Sequence, residues 1–430
     1  RDLHLSILRQ RQMCIRDSMN TKRRGFLKAG TSASIGLGIP DIIPSSALGN
    51  DERPAPSNRV VMAGIGLGNK GNGDQQDFLR HKEVQYVAVC DVRDKILNIA
   101  KNRTDSKYEN KDCKAYVDYR EVISRDDIDA VHIATPDHWH AQMVIDACRH
   151  GKDVFCQKPE TRTIEEGPLM VDAVHRYGRI FSGGSQRVME DYSSVVMRCW
   201  GGHFGNLKSI NVQVGPMSKA CNLEPQSIPD DINWELWLGP APWAPYNSNR
   251  CDGNFETSGN SWRSYSDYSG GGLTDWGAHH FGGATFALDV RDLQPEEIIL
   301  QEDEGQKHIT FKYPNGKQIT HNRPRTGNMR VSGTNEKIEP KNEPIPFYAD
   351  NDGKGGRGSI DGDFIQCVKT RKQPFRRIEH VINTMALPLF ASIAYTLNRS
   401  LKWDSNKQEF IGDNEANRLT RVARREPWQL

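Results

Sequence analysis

The sequence lacks an uninterrupted apolar run long enough to cross a membrane, which takes about 20 residues, and its mean hydropathy is −0.68. It also lacks a cysteine pattern. Nine cysteines, an odd number with no Cys-x-x-Cys spacing, give neither a disulfide framework nor a zinc motif, so most are expected as buried thiols. Neither sign of charge dominates, with 57 Lys and Arg against 55 Asp and Glu. The positive excess is confined to residues 1–28, which are net +6, leaving the other 402 residues net −4. Nucleic-acid binding calls for a basic patch on the folded body, so no such partner is expected. No internal repeat or low-complexity tract is present, and the length suits two or three globular domains.

Residues 1–18 show no apolar period, cap or initiator and are set aside as an upstream extension. From Met19 the chain reads Lys22-Arg23-Arg24 and Phe26-Leu27-Lys28, then a small, mildly apolar stretch to Ile43, then Ser45-Ser46-Ala47. Residues 19–47 resemble a twin-arginine export signal, with cleavage expected after Ala47 and a linker over residues 48–58. That implies the twin-arginine machinery as a partner, a periplasmic location and no lasting membrane insertion.

Beyond the linker, strand, glycine turn and helix alternate. Val60–Ile65, Val84–Cys90, Ala130–Ala134, Asp153–Cys156 and Arg179–Ser182 are apolar runs of strand length, separated by helical stretches such as Asp137–His150 and Ile164–Tyr177. This alternation predicts parallel βαβ units over residues 59–183, a doubly wound Rossmann domain of α/β class. From residue 184 to 430 the texture changes to Trp- and Pro-rich loops and period-2 segments. Ile309, Phe311 and Tyr313 alternate up to Asn315-Gly316, and Ile319 and His321 return, which predicts a hairpin within an α+β domain whose large open sheet is mostly antiparallel. Late helices are expected near 361–371 and 378–397.

After the first strand, Gly66, Gly68 and Gly71 satisfy G-x-G-x-x-G. The first permits a tight turn, the second lets backbone approach a pyrophosphate, and the third lets helix pack on strand, while the helix N-terminus, with Asn69 and Lys70, favours the phosphates. Asp91 ends the second strand, where a carboxylate accepts from an adenosine ribose and repels a 2′-phosphate. The pattern points to NAD rather than NADP, although Arg93 nearby could accommodate the phosphate.

Thr135-Pro136-Asp137-His138-Trp139-His140, Gln157-Lys158-Pro159 and Gly270-Gly271-Gly272-Leu273-Thr274-Asp275-Trp276-Gly277-Ala278-His279-His280 together resemble the Gfo/Idh/MocA oxidoreductases. The closing segments Leu401-Lys402-Trp403-Asp404 and Arg425-Glu426-Pro427-Trp428 look like the exported bacterial branch of that family. The resemblance covers residues 59–430. It implies bound nicotinamide, a carbohydrate substrate and a homodimer or homotetramer. It also implies that Lys158, Asp275 and His279 line the substrate site, and that Thr135, Pro136, His138, His140, Gln157 and Lys158 lie at the cofactor.

The residues give their own reasons for part of this. Lys158 ends a parallel strand, where open α/β sheets place ligands, and can donate to a reacting oxygen. Asp275 and His279 are spaced i, i+4 and share a face if helical. A histidine is suited to take a hydroxyl proton as hydride leaves the same carbon. His138 and His140 also begin a helix, so capping is an equal reading for them. The four histidines follow no metal-site spacing, and no metal is expected. Trp234, Trp237 and Trp243 read as packing, with sugar stacking open for one of them.

Two positions depart from the family pattern. Gln157 replaces the glutamate of Glu-Lys-Pro, and Gly282 replaces an aspartate of the exported branch. The leading expectation is an NAD-dependent oxidoreductase acting on a secondary hydroxyl of a sugar, glycoside or cyclitol. The alternatives are a glycosidase or lyase that recycles its NAD through oxidation, elimination and reduction, and a non-catalytic sugar-binding protein on the same fold.

Overall fold

The computed structural model describes residues 54–251, 261–322, 328–331 and 359–430, the third stretch by its backbone alone. The extension, the export-signal segment and most of the linker lie outside the described residues. Ser57–Leu430 is one compact unit.

Its first half is a six-stranded parallel sheet. The strands are β1 (Val60–Ile65), β2 (Val84–Cys90), β3 (Lys114–Tyr116), β4 (Ala130–Ile133), β5 (Asp153–Cys156) and β6 (Phe181–Gly183), in the order β3-β2-β1-β4-β5-β6. Met62, Ala63, Val89, Val131 and Val154 are wholly buried, because helices cover both faces and such strands need apolar residues throughout. The strand order reverses between β1 and β4, and a ligand crevice forms outside the carboxyl ends at such a point.

The second half adds a seven-stranded mixed sheet. Its strands are β7 (Ser209–Gln213), β8 (Glu297–Asp303), β9 (Gln306–Lys312), β10 (Gln318–Asn322), β11 (Asn328–Val331), β12 (Leu401–Asp404) and β13 (Glu409–Phe410), ordered β11-β7-β10-β9-β8-β12-β13. All neighbours run antiparallel except β7 and β10. The expected hairpin is in register, with Ile319 opposite Phe311 and His321 opposite Ile309. One face packs on helix Gly277–Ala287, where the Phe281 and Phe311 rings meet edge to face at 5.9 Å.

Helix Ile378–Leu397 is long and apolar enough, by length and composition, to cross a membrane. Here it is a core helix, with Phe390 4.7 Å from the Trp403 ring on β12, and an all-round apolar helix is what a core position requires. The chain then returns to the first half. Arg424 donates to Glu166 Oε1 at 3.0 Å and to Gln142 Oε1 at 3.1 Å, and Trp428 packs edge-on against Trp139 at 4.7 Å. Arg425 Nε donates to the Gly239 carbonyl at 2.9 Å.

Candidate active site

β1 leads through Gly66–Gly68 into helix Asn69–Arg80. Gly66 has φ +78°, and a Cβ there would lie 2.7 Å from the Thr135 backbone nitrogen, so left-handed backbone and close approach to the β4 end both demand glycine. A Cβ on Gly71 would sit 2.0 Å from the Gly66 carbonyl oxygen, which seats the helix on the strand. Beside Gly68 nothing lies within 4 Å, so the 12-residue helix presents its N-terminus to open space. Asp91 ties this turn down, accepting from Leu67 N at 2.8 Å and Arg93 N at 3.0 Å. Burial raises its carboxyl to about 6 against the lowering effect of those two donors.

A cleft of about 690 Å³ runs from this turn to the second half of the unit. Gly66, Gly68, Asn69, Lys70, Asp91, Thr135, Pro136, Gln157, Lys158, Asp275 and His279 all line it. Gly71, His138 and His140 do not. His138 and His140, expected at the cofactor, are both buried and away from the cleft lining. His138 Nε2 is 3.2 Å from the Trp237 carbonyl, and His140 lies between the Pro159 and Thr135 carbonyls at 2.7 and 2.8 Å. Burial lowers both, to about 3 and about 4, against the raising effect of the carbonyls they meet, and each ring braces neighbouring loops. The capping alternative does not hold either, since Pro136 is the N-cap of helix Asp137–Arg149 and no side-chain cap bond forms. Trp234 and Trp237 stack on one another at 4.8 Å in the core, whereas Trp243 is exposed.

At the far end Lys158 Nζ donates to Asp275 Oδ1 at 2.7 Å, and Arg263 Nε donates to the same oxygen at 3.3 Å. Burial raises the Asp275 carboxyl, but the Lys158 and Arg263 charges outweigh it and the net shift is downward. Asp275 and His279 do not share one helix. The helical run breaks at Trp276, between Gly272–Asp275 and Gly277–Ala287, yet both side chains reach the cleft. His279 Nδ1 lies 2.8 Å from Ser185 Oγ, whose hydroxyl donates to the Ala278 carbonyl at 3.4 Å. With Ser185 donating to the Ala278 carbonyl, Nδ1 is the ring's donor to Ser185 Oγ, and the Nε2 lone pair then has no partner among the described residues. Burial first, then the Lys158 charge, push His279 well below the ordinary histidine range, so it is neutral at neutral pH.

Sequence reasoning missed Ser185, Gln186, Arg187, Trp262, Arg263 and Trp276. Gln186, Arg187, Trp262, Arg263 and Trp276 line the cleft. Residues 185–187 follow β6, and the rule that ligands gather at carboxyl ends of parallel strands could have found them. Nothing local in the sequence marks Arg263, which the fold brings to Asp275 from the short 3-10 turn Trp262–Ser264.

Both departures have structural counterparts. Gln157 Nε2 donates to the buried Asp74. A Cβ on Gly282 would lie 2.6 Å from Val188 Cγ2 and 3.6 Å from Arg376 Nη1, so an arginine stands where the aspartate would point. The Arg376 guanidinium and both Glu160 carboxylate oxygens are buried without a hydrogen-bond partner among the described residues. Each nevertheless feels the other's charge. Among the described residues, no group of three His, Cys, Asp or Glu could hold a metal ion.

The chain is similar to known proteins in sequence and fold. Residues 59–185 match the profile described as "Oxidoreductase family, NAD-binding Rossmann fold", and residues 214–430 match "Oxidoreductase family, C-terminal alpha/beta domain". A "Glycosyl hydrolase family 109 protein" of Shewanella baltica is 34% identical over 177 residues, and an "Alpha-N-acetylgalactosaminidase" of Shewanella oneidensis is 33% identical over 176. Each alignment covers 36% of this chain and only 38% of the relative. The WlbA dehydrogenase of Bordetella pertussis, solved with NADH and UDP-GlcNAcA, superposes with a TM-score of 0.55 at 14% identity, over 80% of this chain and 99% of that one. A scyllo-inositol dehydrogenase of Lactobacillus casei gives 0.54 at 14% identity, over 80% and 98%. At that identity the likeness shows the fold alone. The two profile matches leave only residues 186–213 between them and enclose the cleft from both sides, so the chain belongs to the Gfo/Idh/MocA oxidoreductase family.

Proposed function

We propose that the protein transfers hydride between a secondary hydroxyl of a sugar, glycoside or cyclitol and a nicotinamide dinucleotide. One observation carries this reading: a single cleft joins the glycine turn and Asp91 at one end to Lys158, Asp275 and His279 at the other. The turn fits the cofactor, because the space beside Gly68 is open and a helix N-terminus faces it. Gly66, Gly68, Asn69 and Lys70 would hold the pyrophosphate and Asp91 the ribose, and the bound nicotinamide supplies a hydride acceptor. The Asp91 carboxylate favours NAD over NADP.

His279 takes the hydroxyl proton on Nε2 as the C–H bond breaks, and Ser185 holds the ring in the tautomer that allows it. Lys158 spends one donor on Asp275 and keeps two for the reacting oxygen. Asp275 fixes that ammonium and balances its charge. In the reverse direction His279 returns the proton to the carbonyl oxygen. The test is single-turnover reduction of bound cofactor by a panel of sugars and glycosides, read by near-ultraviolet absorbance. No reduction by any of them, with cofactor bound, would overturn the reading.

A second reading is favoured by the relatives named as glycosyl hydrolase family 109 proteins. Here the same site would cleave a glycoside, with the cofactor reduced as the sugar is oxidised and reoxidised later in the same turnover. Aglycone release with no net change in the cofactor would single it out. Lys22-Arg23-Arg24 and the segment after it support export in folded form to the periplasm, and replacing Arg23 and Arg24 by Lys should hold the protein in the cytoplasm. The open face of the second sheet suits a homodimer or homotetramer, which sedimentation would count.

A further inference from the structure

Arg187 and Arg263 line the cleft beside Lys158 and His279, and neither guanidinium is used up by the protein. Arg263 donates only through Nε, to an Asp275 oxygen that Lys158 already occupies at the shorter distance. Its Nη1 and Nη2 make no hydrogen bond among the described residues. The guanidinium lies 4.1 Å from the Trp262 ring centroid, a stacking contact that fixes its plane. Arg187 pairs with Asp191 through Nη1, leaving Nε and Nη2 unused, and lies 5.0 Å from the Trp276 ring.

The local charge does not close. Lys158, Arg187 and Arg263 face Asp275 and Asp191, an excess of one positive charge. Neighbouring Asp137 cancels only part of it, because burial raises its carboxyl to about 7. The two arginine side chains are only 35% and 30% exposed, so their charge is less screened than it would be on an open surface. A fixed, planar, two-donor edge beside the acid–base group is the geometry that recognises a carboxylate.

We propose that the substrate is an acidic sugar, a uronic acid or uronide, whose carboxylate is gripped by Arg263 in the field of Arg187. This rests on the sugar-oxidoreductase reading. It goes further in assigning the charge of the substrate and the residue that reads it.

The test compares 4-nitrophenyl uronides of the gluco, galacto and manno series with their uronamides, which keep the shape and lose the charge. The full-length protein is assayed with NAD added, following both cofactor reduction and nitrophenol release. Wild type should prefer the best uronide over its uronamide by about tenfold or more in kcat/KM. Arg263→Met should lower the uronide value by about 10- to 100-fold, the worth of a charged hydrogen bond, and the uronamide value far less, so that the ratio falls toward one. Arg263→Lys should restore part of it. If Arg263→Met does not fold, judged by thermal unfolding, Arg187→Met should shrink the same ratio.

Equal turnover of acid and amide by wild type overturns the inference and leaves the oxidoreductase reading standing. So does an Arg263→Met variant that loses both activities alike, since Arg263 would then serve only Asp275. A protein inert on every acidic and neutral sugar overturns the underlying reading, and the inference with it.

Discussion

The side-chain amide of Gln157 donates to Asp74 Oδ2 at 2.8 Å, beneath the floor of the cleft. Burial raises Asp74, but His132 and Lys70 outweigh it and the carboxyl stays below its usual range. Asp74 is therefore ionised, and glutamine rather than glutamate at 157 gives it a donor in place of a second negative charge. Gln157→Glu should cost about 1–3 kcal/mol of stability near neutral pH, the order of a buried acceptor losing its partner. The new carboxyl would have a raised folded-state pKa, so the deficit relative to wild type should shrink as pH falls and the group takes up a proton. Thermal unfolding at about pH 5 and about pH 8 checks this, and an equal deficit at both would refute it.

His279→Ala should lower kcat by about 10²- to 10⁴-fold, with little change in cofactor affinity. Because burial and the Lys158 charge depress the His279 pKa, the acid limb of kcat against pH should fall below the ordinary histidine value of about 6.5. In Lys158→Met the residual activity should show that limb moved upward, since a repelling positive charge is gone. A wild-type limb at or above the ordinary value counts against His279 as the base.

Asp91 both ties the glycine turn and faces the cleft. Asp91→Ala should weaken NAD binding by about tenfold or more and narrow the preference over NADP. Its carboxyl is raised to about 6, so in wild type the same preference should narrow as pH drops through that value and the repelling charge is neutralised. Titration calorimetry with both dinucleotides above and below that pH measures both effects. Unchanged selectivity in each would remove Asp91 from the ribose site.

Glu160 and Arg376 are buried without a hydrogen-bond partner among the described residues, and burial raises the Glu160 carboxyl while the Arg376 charge opposes that rise. Arg376→Met alone should destabilise by about 3–5 kcal/mol, because Glu160 is left buried and uncompensated, and Glu160→Gln together with Arg376→Met should recover much of that loss. A double-mutant cycle by chemical denaturation gives the coupling, and additive losses would show the two groups to be independent.

The parallel half of the fold was legible because a strand covered on both faces must be apolar along its whole length. Val60–Ile65, Val84–Cys90 and Asp153–Cys156 stand where their runs predict. β3 was missed because Lys114 and Ala115 sit exposed at the sheet edge, where no apolar run is required. Helix Ile378–Leu397 was legible end to end despite Pro388 within it. Of the candidate site, Lys158, Asp275 and His279, singled out from a strand end and a motif, line one cleft. His138 and His140 are buried away from the cleft lining, since a motif fixes positions in sequence and not which way a buried ring turns. Arg263 was invisible because only tertiary folding brings its turn to Asp275.

The return of the chain end across the molecule bears on how the unit can open. Arg424 on Glu166, Trp428 on Trp139 and Arg425 on the Gly239 carbonyl hold the final segment against both halves of the compact unit at once. Swinging the halves apart like a hinge would break these contacts together, uncovering an indole and stranding two guanidinium groups. Opening of the unit would therefore cost several packed and hydrogen-bonded contacts at once, which ties the end of the chain to the integrity of the whole fold.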